Sequence, residues 1–141
     1  MKKLVFVCRG NKFRSPVAEA LFNQNPIEGW KAFSYGTQVE KEGWQKMKLS
    51  EFGRGIQIII DEMKKLNIDI SDKQCIQIFP EYLKDIDKVI ILAEKEFVPD
   101  WLAKYNYDRW EIPNPEFVPD DNGRSIIELL SNKINTLKDT L

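Results

Sequence analysis

Residues 4–16 read Leu-Val-Phe-Val-Cys-Arg-Gly-Asn-Lys-Phe-Arg-Ser-Pro, and this stretch decides the fold. Residues 4–8 are apolar without the polar alternation of a half-exposed strand, which indicates a central strand of a parallel sheet covered on both faces. Pro16 is tolerated in a first helical turn, and the apolar residues after it predict a helix that ends before Asn25-Pro26. Cys8 and Arg14 therefore stand at the two ends of one short loop between a buried strand and a helix N-terminus.

This loop has the chemistry of an anion site. Backbone N–H groups and the helix dipole favour anions and thiolates at such a position. A tight loop with its N–H groups turned inward can bind the equatorial oxygens of phosphate, and Arg14 can add a bidentate guanidinium. Cys8 would lie beneath the phosphorus, in line for attack. The residues predicted to bind phosphate around it are Arg9, Gly10, Asn11, Lys12 and Phe13.

Composition narrows the alternatives. The 141 residues have ordinary apolar and charged fractions, which predicts one domain over residues 1–141. The longest apolar runs are far too short for a membrane span or a signal-peptide core, so a cytoplasmic protein without membrane association is expected. A net charge of −1 argues against nucleic-acid binding. Positive charge is nevertheless concentrated at the start of the chain, where five cations precede the first acid, Glu19. We expect a monomer.

The chain contains no histidine and two cysteines. Cys-His and Ser-His nucleophile pairs are thereby excluded, as is the metalloprotease helix, and two cysteines alone cannot form a structural zinc site. We expect neither a metal nor an organic cofactor. A nucleophilic cysteine must be activated here by something other than imidazole.

Strand and helix patterns alternate along the rest of the chain. Strands are predicted at residues 31–35, 88–93 and 110–112, and helices at 56–66, 80–86, 96–105 and 125–137. The helix at 96–105 is predicted to be interrupted near Pro99, and residues 40–50 are predicted to be irregular. Right-handed crossovers then predict a doubly wound α/β sandwich: a four-stranded parallel sheet with helices on both faces. The phosphate-binding loop follows strand 1 at the carboxyl end of the sheet.

Residues 8–16, with Glu19, resemble the signature of the low-molecular-weight protein tyrosine phosphatase family, in which five residues separate a nucleophilic cysteine from an arginine followed by Ser-Pro. Residues 34–37 (Ser-Tyr-Gly-Thr) are similar to the family's second-strand Ser-Ala-Gly-Thr. Residues 67–71 and 87–92 resemble its Gly-Ile-Asp-Ser turn and its Asp-x-Val-Ile strand. The resemblance covers nearly the whole chain and is least certain over residues 38–54.

The resemblance implies a catalytic set of Cys8, Arg14 and Ser15, with Cys8 attacking a phosphomonoester to form a phosphocysteine intermediate. Ser15 would stabilise the thiolate, or would simply begin the helix. Asn11 is suited to a left-handed backbone conformation and could bond to Ser34, which would then support the loop. Arg9 would line the cleft mouth, or be a solvated surface arginine.

The sequence departs from the family pattern at the general acid. The family carries an Asp-Pro pair after the fourth strand, and the matching residues here are Asn114-Pro115. A carboxamide cannot protonate a leaving group, and loss of a general acid costs about 10²- to 10⁴-fold in rate. Possible substitutes lie just downstream, namely Glu116, Asp120 and Asp121. A slow phosphatase is the expected result, and of the family's cleft aromatics only Phe117 has a counterpart.

Thioredoxin-coupled arsenate reductases resemble the same fold and loop, but they pass a disulfide along further cysteines. Cys75 falls elsewhere in the alignment and is interpreted as structural, and Phe13 stands where many relatives hold a second loop cysteine. The predicted partner is a phosphorylated protein or small phosphomonoester, with inorganic phosphate as product or inhibitor. The alternatives are a non-catalytic phosphate or phosphoprotein binding module and an arsenate reductase.

Overall fold

The computed structural model describes residues 1–114 and 121–141. Within these ranges, strands and helices follow one another along the chain, joined in places by short 3₁₀ turns. The elements are β1 (Lys2–Cys8), α1 (Arg14–Gln24), β2 (Trp30–Gly36), α2 (Arg54–Lys64), β3 (Lys88–Ile91), α3 (Asp100–Ala103), β4 (Asp108–Arg109) and α4 (Arg124–Lys138).

The four strands form one parallel sheet in the order β2-β1-β3-β4. The apolar strand β1 is central, and its Val7 is in register with Tyr35 of β2 and Ile91 of β3. Cys8 ends β1 opposite Gly36. The predicted α/β class and the four-stranded parallel sheet are therefore confirmed, with the Cys8 loop at the carboxyl edge.

Alternate residues of β1 enter two separate parts of the core. Leu4 and Phe6 pack with α1, α2 and α4 on one face, whereas Val5 and Val7 pack on the other. That second face is covered by the short helix α3 and by 3₁₀ turns at Pro80–Leu83 and Lys95–Phe97, not by long helices. Both faces of β1 are buried, as its unbroken apolar run predicts.

The prediction of a strand at residues 110–112 is wrong: β4 is Asp108–Arg109. Trp110 still donates its N–H to the Ile91 carbonyl, but its ring packs against Phe6 with centroids 5.7 Å apart. The apolar signal at 110–112 therefore came from core packing beyond the strand. The helix predicted at 96–105, with its interruption near Pro99, is observed as a 3₁₀ turn followed by α3, and Pro99 lies between the two.

Across residues 1–114 and 121–141, every helix is too short or too polar to cross a lipid bilayer.

Candidate active site

The loop after β1 is held by the segment that follows β2. The Thr37 N–H donates to the Cys8 carbonyl and the Gln38 N–H to the Arg9 carbonyl, both at 2.9 Å. Gly36 makes this approach possible, because a Cβ at that position would lie 2.9 Å from both the Arg9 oxygen and the Asn11 nitrogen. The parallel pairing of β1 with β2 therefore sets the shape of the loop.

The Cys8 thiol lies at the base of the loop and is almost completely buried. Its Sγ is 3.0 Å from Ser15 Oγ and accepts a hydrogen bond of 3.2 Å from the Asn11 N–H. Both groups can donate to a sulfur anion, and α1 begins a few residues later. The Asn11 N–H donates to the sulfur, whereas the Ser15 hydroxyl can act toward it as donor or acceptor.

Asn11 adopts the left-handed conformation expected from the sequence, with φ of 55°. Its side-chain nitrogen donates to Ser15 Oγ at 2.8 Å and to Ser34 Oγ at 3.1 Å. Its side-chain oxygen accepts the Ile76 N–H at 2.9 Å. The suggested bond between Asn11 and Ser34 is present, and Asn11 joins the loop to two other parts of the chain.

The hydrogen bonds continue from Ser34 to a buried carboxyl group. Ser34 Oγ donates to Glu19 Oε1 at 2.8 Å, and Lys73 Nζ lies 3.7 Å from the same oxygen. Burial raises the pKa of Glu19 above its ordinary value, against the opposing effect of Lys73. The series of hydrogen bonds behind the loop thus ends at the carboxyl group of Glu19, and burial disfavours the ionisation of this group.

The Arg14 side chain is buried and directed by the end of β3. Its Nη1 donates to the Glu94 carboxylate at 2.7 Å and to the Leu92 carbonyl at 3.0 Å. Burial tends to raise the pKa of Glu94, but the hydrogen bond from Arg14 lowers it below its ordinary value overall. Glu94 is therefore an anion in contact with the guanidinium and fixes its orientation.

A cavity of about 780 Å³ opens above Cys8, Arg14 and Asn114. Lys12 Nζ lies 3.7 Å from the ring centroid of Trp44, and the Arg9 guanidinium lies 4.1 Å from that of Phe97 and 3.7 Å from Glu42. Among the described residues, the charged groups lining the cavity are four cations and one acid, namely Arg9, Lys12, Arg14, Arg54 and Glu42. Such a lining favours an anionic ligand.

The structure brings most of the predicted site residues to this cavity, but not all side chains face it. Phe13 lines it, yet its side chain is buried and reaches Gly123, where an added Cβ would lie 2.8 Å from the ring. Phe13 can therefore contribute to anion binding only through its backbone. Two possible acids, Glu116 and Asp120, lie outside the described residues, as does Phe117.

Asp121 is poorly suited to act as a substitute acid. Its carboxylate accepts the N–H groups of Gly123 and Ser125 at 3.1 and 3.0 Å, at the start of α4. Hydrogen bonding from Ser125 holds the pKa of Asp121 below its ordinary value, which favours the deprotonated form. The carboxylate accepts N–H groups near the N-terminus of α4, whereas a proton donor to a leaving group must be protonated.

Sequence reasoning missed three residues of the site. Glu94 follows strand β3, which neighbours β1, so the meeting of parallel strands at their carboxyl ends could have indicated it. Gly36 could have been found from its place at the end of β2, opposite Cys8. Arg54 begins α2 and lines the cavity, and nothing in the local sequence signalled that placement.

A central parallel strand that ends in a buried cysteine, followed by a loop and a helix that begins with a buried arginine, defines the class of cysteine-based phosphatases and arsenate reductases. The chain belongs to the low molecular weight phosphotyrosine protein phosphatase family, whose model matches residues 3–141.

Individual relatives agree with this assignment. The chain is 28% identical over 120 residues to an arsenate reductase of Staphylococcus aureus, covering 84% of this chain and 82% of that protein. Its fold is similar to that of Vibrio vulnificus Wzb in complex with benzylphosphonate, with a TM-score of 0.80, 17% identity and 99% of each chain covered. It is also similar to the low molecular weight protein tyrosine phosphatase of T. tengcongensis, with a TM-score of 0.71, 24% identity and full coverage of both chains.

Proposed function

We propose that this protein is a cysteine-dependent phosphatase that hydrolyses phosphomonoesters of the phosphotyrosine type. The observation that carries the proposal is the position of Cys8 Sγ, 3.2 Å from the donating Asn11 N–H and 3.0 Å from Ser15 Oγ, beneath a cavity that Arg14 also lines. A sulfur held as an anion below an oxyanion site is placed for attack on phosphorus.

In the first step, the Cys8 thiolate forms a bond to phosphorus and the bond to the leaving oxygen breaks. Arg14 and the loop N–H groups stabilise the charge that spreads over the phosphoryl oxygens. In the second step, water attacks the phosphocysteine, the phosphorus–sulfur bond breaks, and inorganic phosphate and the thiolate are released. The electron pair of each broken bond leaves with oxygen or with sulfur, and no redox partner is required.

The leaving oxygen needs a proton when its conjugate acid is weak. Asn114 lines the cavity where the family pattern has an aspartic acid, and an amide cannot supply that proton. The proposal therefore includes slow turnover that depends strongly on the leaving group. An aryl phosphate with an acidic phenol should be hydrolysed much faster than an alkyl phosphate.

The test compares p-nitrophenyl phosphate with phenyl phosphate in the unaltered chain and in Cys8→Ser. We expect hydrolysis of the nitrophenyl ester to require Cys8, with a phosphorylated Cys8 trapped by rapid acid quench and identified by mass spectrometry. Unchanged hydrolysis in Cys8→Ser would overturn the proposal. Tight phosphate binding without hydrolysis of either ester would identify the alternative, a non-catalytic phosphate or phosphoprotein binding module.

Asn114→Asp tests the missing acid, with Asn122→Asp as a matched control because both asparagines line the cavity. We expect Asn114→Asp to speed phenyl phosphate hydrolysis by about 10-fold or more while changing nitrophenyl phosphate hydrolysis little. Asn122→Asp adds the same charge and should not show this selectivity. Equal gains in both variants would show that the effect comes from charge alone.

A second candidate is an arsenate reductase, favoured by the relative from Staphylococcus aureus and by Cys75, whose Sγ lies 3.2 Å from the Asn11 carbonyl oxygen. Against it, Cys75 is completely buried, and burial with the neighbouring Cys8 raises its pKa to about 12. Cys75→Ser separates the two activities, because serine cannot form a disulfide. Loss of thioredoxin-linked arsenate reduction in Cys75→Ser, with phosphatase activity retained, would establish this second activity.

A further inference from the structure

The second cysteine of the chain lies behind the phosphate loop. Cys75 Sγ donates to the Asn11 carbonyl oxygen at 3.2 Å, and the next residue, Ile76, donates its N–H to the Asn11 side chain. Asn11 is thus held from the same segment through both its backbone and its side chain. Cys75 and Asn11 are each completely buried.

The position of Cys75 is itself fixed by backbone hydrogen bonds. Its N–H donates to the Met47 carbonyl at 2.8 Å, and its carbonyl accepts the Lys46 N–H at 2.7 Å. The backbone that carries the thiol is therefore anchored to residues 46 and 47 on the side away from the loop. Burial, followed by the charge of nearby Cys8, raises the pKa of Cys75 to about 12, so the sulfur keeps its proton and remains a donor at neutral pH.

The carbonyl that Cys75 contacts belongs to the peptide group between Asn11 and Lys12. In a planar trans peptide the carbonyl oxygen and the N–H point in opposite directions, and the described residues include no cis peptide. A carbonyl directed toward Cys75 therefore turns the Lys12 N–H away from Cys75, and Lys12 is one of the residues that line the cavity. A donor on the oxygen also polarises the peptide group and strengthens its N–H as a donor.

We propose that Cys75 is a positioning residue of the phosphate site: its thiol holds the Asn11–Lys12 peptide so that the Lys12 N–H faces the bound phosphate. This inference rests on the proposed function, since it assigns a role within the same site. It requires no oxidation of Cys75 and no change in its protonation. The chemical property that matters is the donor on the side chain at position 75.

Three variants isolate that donor. Cys75→Ser keeps a donor, whereas Cys75→Ala and Cys75→Val remove it with a smaller and a larger side chain. The first readout is the calorimetric dissociation constant for inorganic phosphate. The second is the phosphate concentration that halves the rate of Cys8 alkylation by iodoacetamide, with the alkylated residue identified by mass spectrometry. Neither readout requires turnover, so a failure of the proposed phosphatase activity is distinguishable from a failure of this inference.

We expect Cys75→Ser to bind phosphate within about twofold of the unaltered chain. Cys75→Ala and Cys75→Val should both bind it about 2- to 12-fold more weakly, the range for one hydrogen bond, and should need correspondingly more phosphate to protect Cys8 from alkylation. Equal behaviour of all three variants, whether unchanged or weakened, would overturn the inference. So would weakening in only one of the two variants that lack a donor, because that would point to side-chain volume.

A fourth measurement does not depend on the folding of the position 75 variants. In Cys8→Ser the sole remaining thiol is Cys75, since the chain has two cysteines. The infrared S–H stretching band of that variant should lie at lower frequency than that of a thiol without an acceptor. A band at the position of a non-bonded thiol would also overturn the inference.

Discussion

Asn11 Nδ2 donates a hydrogen bond of 2.8 Å to Ser15 Oγ, the oxygen that lies 3.0 Å from Cys8 Sγ. Because this bond occupies a lone pair of Ser15, the single hydroxyl proton is left to be shared between Cys8 Sγ and the Tyr35 carbonyl, 3.3 Å away. A charged acceptor binds such a proton more strongly than a carbonyl does. The Asn11 side chain therefore leaves Ser15 one lone pair and one proton for its contacts with Cys8 and Tyr35.

Replacing Asn11 should show how much of the site depends on its side chain. Asn11→Gly keeps the left-handed backbone but loses three side-chain hydrogen bonds, which should cost about 2 kcal/mol of unfolding free energy and at least about 10-fold in kcat. Asn11→Ala should lose about 1 kcal/mol more through backbone strain. Urea denaturation and nitrophenyl phosphate kinetics measure both effects. Equal stability of the two variants would contradict the assigned strain.

Gly36 should not tolerate a side chain. A Cβ there would lie 2.6 Å from Val39 Cγ2 as well as 2.9 Å from the loop backbone, so Gly36→Ala should destabilise the protein and lower its affinity for phosphate. Gly55 is the matched control, because a Cβ on it meets nothing within 4 Å. Gly55 lies in α2, and Gly55→Ala should raise stability by roughly 0.5–1 kcal/mol. Thermal unfolding with and without phosphate measures both.

Glu19→Gln should stabilise the protein in a pH-dependent way. The pKa of Glu19 is higher in the folded protein than its ordinary value. The contribution of Glu19 to stability is therefore fully present below the unfolded-state pKa and is lost as pH rises through the folded-state pKa. Glutamine keeps an acceptor for Ser34 without the charge. The difference in Tm between Glu19→Gln and the unaltered chain should therefore be small near pH 4 and larger at pH 7. A difference that shrinks with rising pH would show that Lys73 outweighs burial.

Glu94→Gln should strengthen phosphate binding. The variant keeps an acceptor for Arg14 and removes a carboxylate that repels the bound anion, so we expect a Kd for phosphate about 3- to 10-fold lower at pH 7. Because the pKa of Glu94 is lowered, the carboxylate is charged throughout the neutral range. Glu42→Gln is the control: Glu42 also lines the cavity but lies 3.7 Å from Arg9, so its effect should be smaller.

The fold could be predicted because a single apolar strand and a short loop are local signals. The unbroken run at 4–8 indicated a strand with two buried faces, and Asn11 indicated a left-handed turn, since both properties depend on neighbouring residues. Glu94 and Cys75 could not be found in this way. Glu94 contacts Arg14, which is 80 positions away in the sequence, and Cys75 contacts Asn11, which is 64 positions away. These contacts exist only after the strands have been brought together.

The same long contacts determine when the anion site can form. Cys8 and Arg14 both lie within the first 24 residues. The hydrogen bonds that hold the loop and its arginine, however, join residues that are separated by 23, 65 and 78 positions in the sequence. A fragment ending after α1 would therefore contain the nucleophile and the arginine without the geometry of the loop. Such distant contacts form slowly in folding. A ligand that binds only the native state stabilises the whole folded chain. Phosphate binding therefore measures whether the whole chain has folded.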